Sequence, residues 1–399
     1  MWFLILMAIC YLGVNFFLWH RVVRLLKYVH GFLGNKWILA LFTLIYVFLM
    51  SSVASWALFD DPSWVFAMKY LSNIWIGVMI CAIFFMAIAE IVTFILWASK
   101  KMRKGQPGYR KYILIRGFVV IALVAGFSIY GLVHAGSLKV TEYELKVDKV
   151  AQTHDNLKIV LIADTHIGYS VGNELITEAV RLTNDHQPDI VCIAGDIVDN
   201  DYYAIRDADK IQETLSRIKS KYGVYACFGN HDVEEKLIGG FTVLLGQKPE
   251  VQHQVYDFIE GAGIQILQDD NITVDDNITI IGRYDMTKPN IDGKKRASIG
   301  DLTADLNRDN LIIDIDHQPA ELKEKAAAGV DMDLGGHTHD GQIFPGNLTI
   351  DLFWDNACGM MKVDDMYSIV TSGVGVWGPA MRVGTDGEIV VINVEFTGE

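Results

Sequence analysis

Five short clusters of carboxylate, imidazole and amide side chains occur in the second half of this 399-residue chain. They are Asp164-Thr-His166, Gly195-Asp196-Ile-Val-Asp199, Gly229-Asn230-His231-Asp232, Asp316-His317-Gln-Pro319 and Gly336-His337-Thr-His339-Asp-Gly341-Gln342. Imidazole, carboxylate and amide oxygen together suit divalent manganese, iron or zinc. Hydrolysing a phosphate ester near neutral pH needs a strong nucleophile, neutralised phosphoryl oxygens and a proton for the leaving group. Two divalent ions about 3.5–4 Å apart meet the first two needs, because they lower the pKa of water to about 7 and clamp an in-line displacement. Holding two ions that close calls for a shared carboxylate with neutral nitrogen or oxygen ligands around it. Taken singly, each cluster reads better as structure: a lone His after a strand is usually hydrogen-bonded, and Gly-Asn suits a turn because both residues favour positive φ. All five in one chain, each following an apolar run, point instead to a metal centre.

Those apolar runs are the elements that must position the clusters. Short β-branched stretches at 158–163, 189–194, 224–228, 278–281, 311–315 and 332–334 have the length and composition of strands. Amphipathic stretches at 173–184, 209–221, 251–261 and 319–328 read as helices between them, and 367–396 is strand-rich. Each cluster falls just after a strand, where open α/β sheets bind ligands. An α/β domain over 155–399 is therefore expected, preceded by a linker with a first strand at 136–154.

Residues 1–135 are a different kind of polymer. They carry twelve Lys and Arg against three acids, a net of +9, while the remainder has 22 bases against 45 acids, a net of −23. So acidic a domain argues against a nucleic-acid partner, since phosphate backbones are bound by clustered bases. Four apolar stretches, about 2–19, 37–58, 73–98 and 112–134, are long enough for a hydrocarbon core that needs about 20 helical residues. The first has no basic leader and no small-residue cleavage site after it, so it reads as a retained helix and not a signal peptide. The first loop holds Arg21, Arg24, Lys27 and Lys36 with no acid, and the third holds six bases. The second, at 59–72, holds Asp60, Asp61 and only Lys69. The positive-inside rule then puts loops one and three in the cytoplasm and the catalytic domain on the outer side of the membrane. Glu90, inside the third span, is expected to be paired or protonated and not part of a transport path. The five cysteines show no CxxC or disulfide spacing and read as inert thiols.

The ordered set DTH, GDIVD, GNHD, DHQP and GHTHDGQ resembles the calcineurin-like metallophosphoesterase superfamily over about residues 155–396. GHTHDGQ and Gly378-Pro-Ala-Met-Arg382 are similar to its membrane-associated bacterial branch, grouped beside UDP-2,3-diacylglucosamine hydrolases, and to eukaryotic transmembrane proteins with a metallophosphoesterase domain. The resemblance implies a four-layer α/β/β/α sandwich behind an all-α transmembrane domain of four helices. It implies that Asp164, His166 and His339 bind one metal, that Asn230, His317 and His337 bind the second, and that Asp196 bridges both. It also makes His231 the general acid, with Asp232 to orient its ring, and Asp199 a support for a ligand. Manganese is the first choice of metal, with iron or zinc as alternatives.

The expected activity is hydrolysis of a phosphoester or pyrophosphate bond in a lipid or cell-envelope compound beside the bilayer. Nucleotide-linked lipid precursors are made in the cytoplasm, opposite the side assigned to the site, so UDP-diacylglucosamine serves here as a family label. Two alternatives stay open: a phosphodiesterase or nucleotidase with a soluble substrate and a simple tether, and a membrane receptor or transport subunit with a regulatory metal. Segments 236–249 and 285–301, rich in Gly and Lys, read equally well as a substrate rim or as solvated connections. Oligomeric state leaves no mark in the sequence.

Overall fold

A computed structural model describes residues 2–54, 62–150, 156–235, 237–238, 241–242, 250–288 and 293–398. The chain divides into two units, one built on the helices up to Val133 and the other on the chain from His134 onward, with short segments of the later chain counted in the first.

The first unit has four long helices, α1 (Trp2–Val29), α2 (Lys36–Ser51), α3 (Pro62–Ala98) and α4 (Tyr109–His134). All four, α2 together with the helical turn Ser52–Ala54 that continues it, are long and apolar enough to cross a membrane. Asn35 starts α2 by accepting from the Trp37 amide at 2.9 Å, and Pro62 opens α3, where its missing N–H is no loss. The helix then runs on unbroken, so most of the expected second loop, Lys69 included, is helical. Its 37 residues rise about 55 Å, more than the roughly 30 Å hydrocarbon core. Asp60, Asp61 and residues 55–58 of the expected second span lie outside the described residues. Polar bonds tie the helices where water is absent. The Asn15 side chain, 1% exposed, donates to Tyr11 O at 2.8 Å, and the Tyr46 hydroxyl donates to Asn15 O at 3.0 Å. Trp75 donates to the Tyr11 hydroxyl at 3.1 Å. Glu90 is paired, with Arg21 at 3.1 Å and with Arg116.

The second unit begins with β1 (Leu138–Val147), inside the expected linker, and β2 (Asn156–Ile162). α5 (Asn173–Asp185), β3 (Ile190–Ala194), α6 (Ala208–Leu215) and β4 (Val224–Cys227) follow. β5 (Leu237–Ile238) pairs antiparallel with β6 (Phe241–Thr242) in a segment counted with the first unit, and the second unit goes on with α7 (His253–Glu260), β7 (Gln265–Ile266), β8 (Asp270–Val274) and β9 (Ile278–Gly282). The last part holds α8 (Ile299–Thr303), β10 (Leu311–Ile315), α9 (Leu322–Ala327), β11 (Met332–Gly335), β12 (Gly359–Val363), β13 (Met366–Val370) and β14 (Gly387–Phe396). One sheet has the order β1-β14-β2-β3-β4-β7 and the other β12-β13-β11-β10-β9-β8.

β2, β3 and β4 run parallel, as do β9, β10, β11 and β13. Parallel strands covered on both faces should be apolar at every position, and side-chain alternation sorts them. Leu157, Ile159 and Leu161 of β2 face the second sheet, meeting Leu311, Ile313 and Ile315 of β10 in one core. Val160 and Ile162 pack with Ile176 of α5, Ile211 of α6 and Phe258 of α7 in another. Ile312 packs outward with Ile299 of α8 and Leu322 of α9. The result is the expected α/β/β/α sandwich. α6 stops at Leu215, short of the expected 221.

Alternation also turns Asp314 and Asp333 to the outer face of the second sheet. With Asp316 they surround Lys325 of α9, whose ammonium lies 2.6 Å from Asp333, 2.9 Å from Asp316 and 3.1 Å from Asp314, and all four are fully buried. Burial alone would lower the lysine's pKa; the carboxylates, Asp316 foremost, raise it. Arg296 donates to both Asp316 oxygens, at 3.1 and 2.7 Å, and to Glu321 at 3.0 Å. Asp316 is therefore turned to these cations, one residue before His317. Lys325→Ala is expected to remove about 3–5 kcal/mol of stability, because it strands buried carboxylates; a melting curve of the detergent-solubilised chain would show it as a large fall in Tm.

Candidate metal centre

Strand direction delivers the site. Asp164 and His166 follow β2, Asp196 follows β3, Asn230 follows β4, His317 follows β10, and His337 and His339 follow β11. Six donors fall into two groups, Asp164, His166 and His339 in one and Asp196, His317 and His337 in the other, with the ligand atoms of each group within 4.8 Å of one another. Asp196 Oδ2 lies 3.1 Å from His317 Nε2 and 3.6 Å from His166 Nε2, and so faces a member of each. Its Oδ1 accepts from the His231 amide at 2.7 Å. Asp164 Oδ1 lies 3.4 Å from His339 Nε2, and both its oxygens accept from the His337 amide.

The loops reach this arrangement through unusual backbone. Asp164, His166, Asp196, His337 and His339 have φ between 43° and 72°, a left-handed region that costs L-residues energy and clusters at functional sites. Glycines make the space: a Cβ on Gly336 would strike the Asp164 carboxylate, and one on Gly229 would strike Asp196.

Chemically the cluster suits cations. His166 Nε2 faces His339 Nε2 at 3.1 Å, and His337 Nδ1 faces His317 Nε2 at 3.2 Å. The Asn230 side-chain oxygen is buried without a hydrogen-bond partner. Burial, with Asp196 nearby, pushes the Asp164 carboxyl up to about 6. Burial, with the His317 charge, pushes His337 down to about 3. Burial likewise holds His339 well below the usual imidazole value. Asp196 goes the other way: burial would raise it, but His317 and His231 hold it well below the carboxylate range. His166 and His317 are pushed up instead, against the effect of burial, by the carboxylates they face; a divalent ion takes imidazoles in their neutral form beside an ionised carboxylate, so it would take the place of those protons. His317 is further fixed by its Nδ1, 2.9 Å from Ala194 O, which reserves Nε2 for the centre.

One expectation is corrected. Asp232 does not hold the His231 ring; its oxygens accept from the amides of Ile197 and Val198 at 2.8 Å and Gly229 at 2.7 Å, a staple between the loops after β3 and β4. Three amide donors occupy both of its oxygens, and no hydrogen bond among the described residues joins it to the imidazole. The ring is held instead by Asn200, whose Oδ1 lies 2.6 Å from His231 Nδ1. Asp199 Oδ1 stands 3.8 Å from His166 Nδ1, beyond direct hydrogen bonding but near enough to act by charge. The sequence held one signal for Asn200, its place directly after Gly195-Asp196-Ile-Val-Asp199.

Arg382 is the larger omission. It is fully buried, with Nη2 donating to the carbonyls of Ser372, Gly373 and Gly375 at 2.7, 3.0 and 2.7 Å, and Nη1 to Asp386 O at 3.0 Å. It braces the turn between β13 and β14 beside His339. Trp377, 5.7 Å from the His231 ring, and Trp354, 5.2 Å from that of His337, add apolar walls.

Facing sheets that converge such ligands on one carboxylate define a metal-dependent phosphoester hydrolase. Residues 157–341 match the family model for calcineurin-like phosphoesterase, and the chain carries a calcineurin-like metallophosphoesterase domain. It is 27% identical over 83% of its length to a transmembrane protein with metallophosphoesterase domain of Danio rerio, of which it covers 74%. It is 26% identical to an uncharacterized metallophosphoesterase of Campylobacter jejuni, with 93% of each chain covered. Among solved structures, the NAD nucleotidase of Haemophilus influenzae matches with a TM-score of 0.37 and 15% identity, over 55% of this chain and 51% of that one. The chain thus spans about half the length of that solved structure.

Replacing Asn200 with Ala frees the His231 ring without touching a donor of either group. Turnover is expected to fall about 10–100-fold, as for other residues that orient a reacting group, with a displaced pH–rate profile and unchanged metal content by elemental analysis.

Proposed function

We propose that this protein is a membrane-anchored dinuclear hydrolase that cleaves a phosphoester or pyrophosphate bond in a lipid or cell-envelope compound, with its catalytic domain on the extracytoplasmic side. The observation that carries the reading is Asp196, buried between imidazoles of both ligand groups, in a chain with four apolar helices. The side of the membrane follows from the bases of loops one and three.

Asp164, His166 and His339 would hold one ion, and Asn230, His317 and His337 the other, with Asp196 shared. Manganese fits the mixed ligands best, with iron or zinc as alternatives. When bound, two such ions provide nucleophilic water near neutral pH and screen the phosphoryl oxygens. The chain's own groups do the rest. His231 donates the proton to the leaving oxygen; Asn200 accepts from its Nδ1–H, which leaves Nε2 for the transfer. Burial lowers this imidazole's pKa while Asp196 acts to raise it, so the ring passes its proton on readily. Asp232 and Arg382 fix the loops that carry these groups, and the two tryptophans limit the access of bulk water.

His231→Ala should lower hydrolysis of bis(p-nitrophenyl) phosphate by about 10²–10⁴-fold while metal content stays the same. In cells, lipid and metabolite profiling of a deletion and of the His231→Ala strain should reveal one accumulating phosphorylated lipid or envelope species common to both. A soluble nucleotide accumulating in its place would favour the tethered nucleotidase, and no accumulating species would refute the hydrolytic role.

A further inference from the structure

The four-helix unit encloses a cavity of about 470 Å³, lined by α1, α2, α3 and α4, within the roughly 300–1,000 Å³ usual for ligand sites. Most of its wall is apolar, with Val78 and Ala82 of α3 opposite Val120 and Val124 of α4. One end differs: Arg21, Arg24 and Arg116 all line it.

Among the described residues these three guanidiniums face a single carboxylate. Glu90 binds Arg21 and Arg116, and Arg116 also donates to the Thr93 hydroxyl at 2.8 Å. Among the described residues Arg24 has neutral partners alone: it donates to the Tyr109 hydroxyl at 3.1 Å and lies 5.8 Å from the centre of the Tyr28 ring. Arg21 Nε is buried with no hydrogen-bond partner. Three positive charges against one negative leave an excess of two at the cavity's end, in a bundle whose surroundings are hydrocarbon. Charge placed there is costly unless it is met by an opposite charge.

The position of that end is equally informative. Arg24 lies five residues before the end of α1 and Arg116 seven residues into α4, near the helix ends that lead into the connections at 30–35 and 99–108, where lipid headgroups would lie. From Arg116 the lining follows α4 to Leu132, a rise of about 24 Å and most of a hydrocarbon core of about 30 Å. A cationic mouth at headgroup depth and an apolar wall running inward match an anion joined to an acyl chain.

We infer that this cavity is a binding site for an anionic phospholipid. Its phosphate sits against Arg21, Arg24 and Arg116, and one acyl chain lies along Ala82, Val120 and Val124. A neutral amphiphile would leave the excess charge unmet, and a free nucleotide would leave the apolar wall bare. The inference does not depend on what the metal centre hydrolyses and is read without its activity.

The test is native mass spectrometry of the full chain in detergent, titrated with dioleoyl phosphatidylglycerol or with dioleoyl phosphatidylcholine, which share their chains. At about fivefold per arginine, the unaltered chain should bind one phosphatidylglycerol with a preference of about tenfold or more. Arg24→Gln should cut that preference about fivefold, whereas Arg24→Lys, which keeps the charge, should retain it. Ala82→Phe, which narrows the chain slot, should weaken binding of both lipids together. Equal binding of the two lipids by the unaltered chain would overturn the site, and so would a preference left undiminished by Arg24→Gln. The lipid comparison needs no variant, so a substitution that fails to fold cannot shelter the inference.

Discussion

Asp196 Oδ2 stands 3.1 Å from one imidazole and 3.6 Å from another, with Asp164 and a third imidazole close by and almost none of this group open to water. Packed so tightly, carboxylate opposes the charge of carboxylate and imidazole that of imidazole, and burial adds to the opposition. Cations at the centre of the cluster reverse the sign of the problem. The backbone reflects the same constraint, since five non-glycine ligands adopt positive φ and Gly229 and Gly336 leave room for the carboxylates. Such a concentration of strain and charge is tolerable only where rigid strands on two facing sheets hold every donor in place.

Both units contain charge in surroundings that resist it, and they solve the problem differently. In the sandwich, Lys325 gathers three buried carboxylates behind His317, with Arg296 completing the set around Asp316. Arg382, with no ion pair to a carboxylate among the described residues, turns its two Nη atoms to backbone carbonyls. In the helical unit, Glu90 answers two arginines while Arg24 has a neutral hydroxyl. The first two arrangements are closed within the chain. The third leaves an excess that calls for a lipid anion.

Much of this was legible in the sequence because the signal was local. Strand ends followed by metal-type residues, apolar spans of bilayer length and the alternation of β2 and β10 all lie within a few consecutive positions. The grouping of the donors came instead through the resemblance, because His339 reaches Asp164 from 175 positions away and no periodicity records such a meeting. Asp232 was misread for a related reason: adjacency to His231 suggested a side-chain contact, but its oxygens are taken by backbone amides that the sequence does not display. Asn200 and Arg382 were passed over because a polar residue that serves a loop looks the same in a string of letters as one that faces water. The second loop was drawn too long because its polar residues look the same in a loop as in the first turns of a helix, and α3 already starts at Pro62.

The central claim is that Asp196 is shared by two metal ions. Electron paramagnetic resonance of the full chain loaded with manganese(II) tests it most directly, since a shared carboxylate couples neighbouring spins. The account predicts an exchange-coupled pair spectrum in the unaltered protein that gives way to isolated manganese(II) signals in Asp196→Asn. Uncoupled ions in the unaltered protein, or a coupled pair that persists in Asp196→Asn, would contradict it.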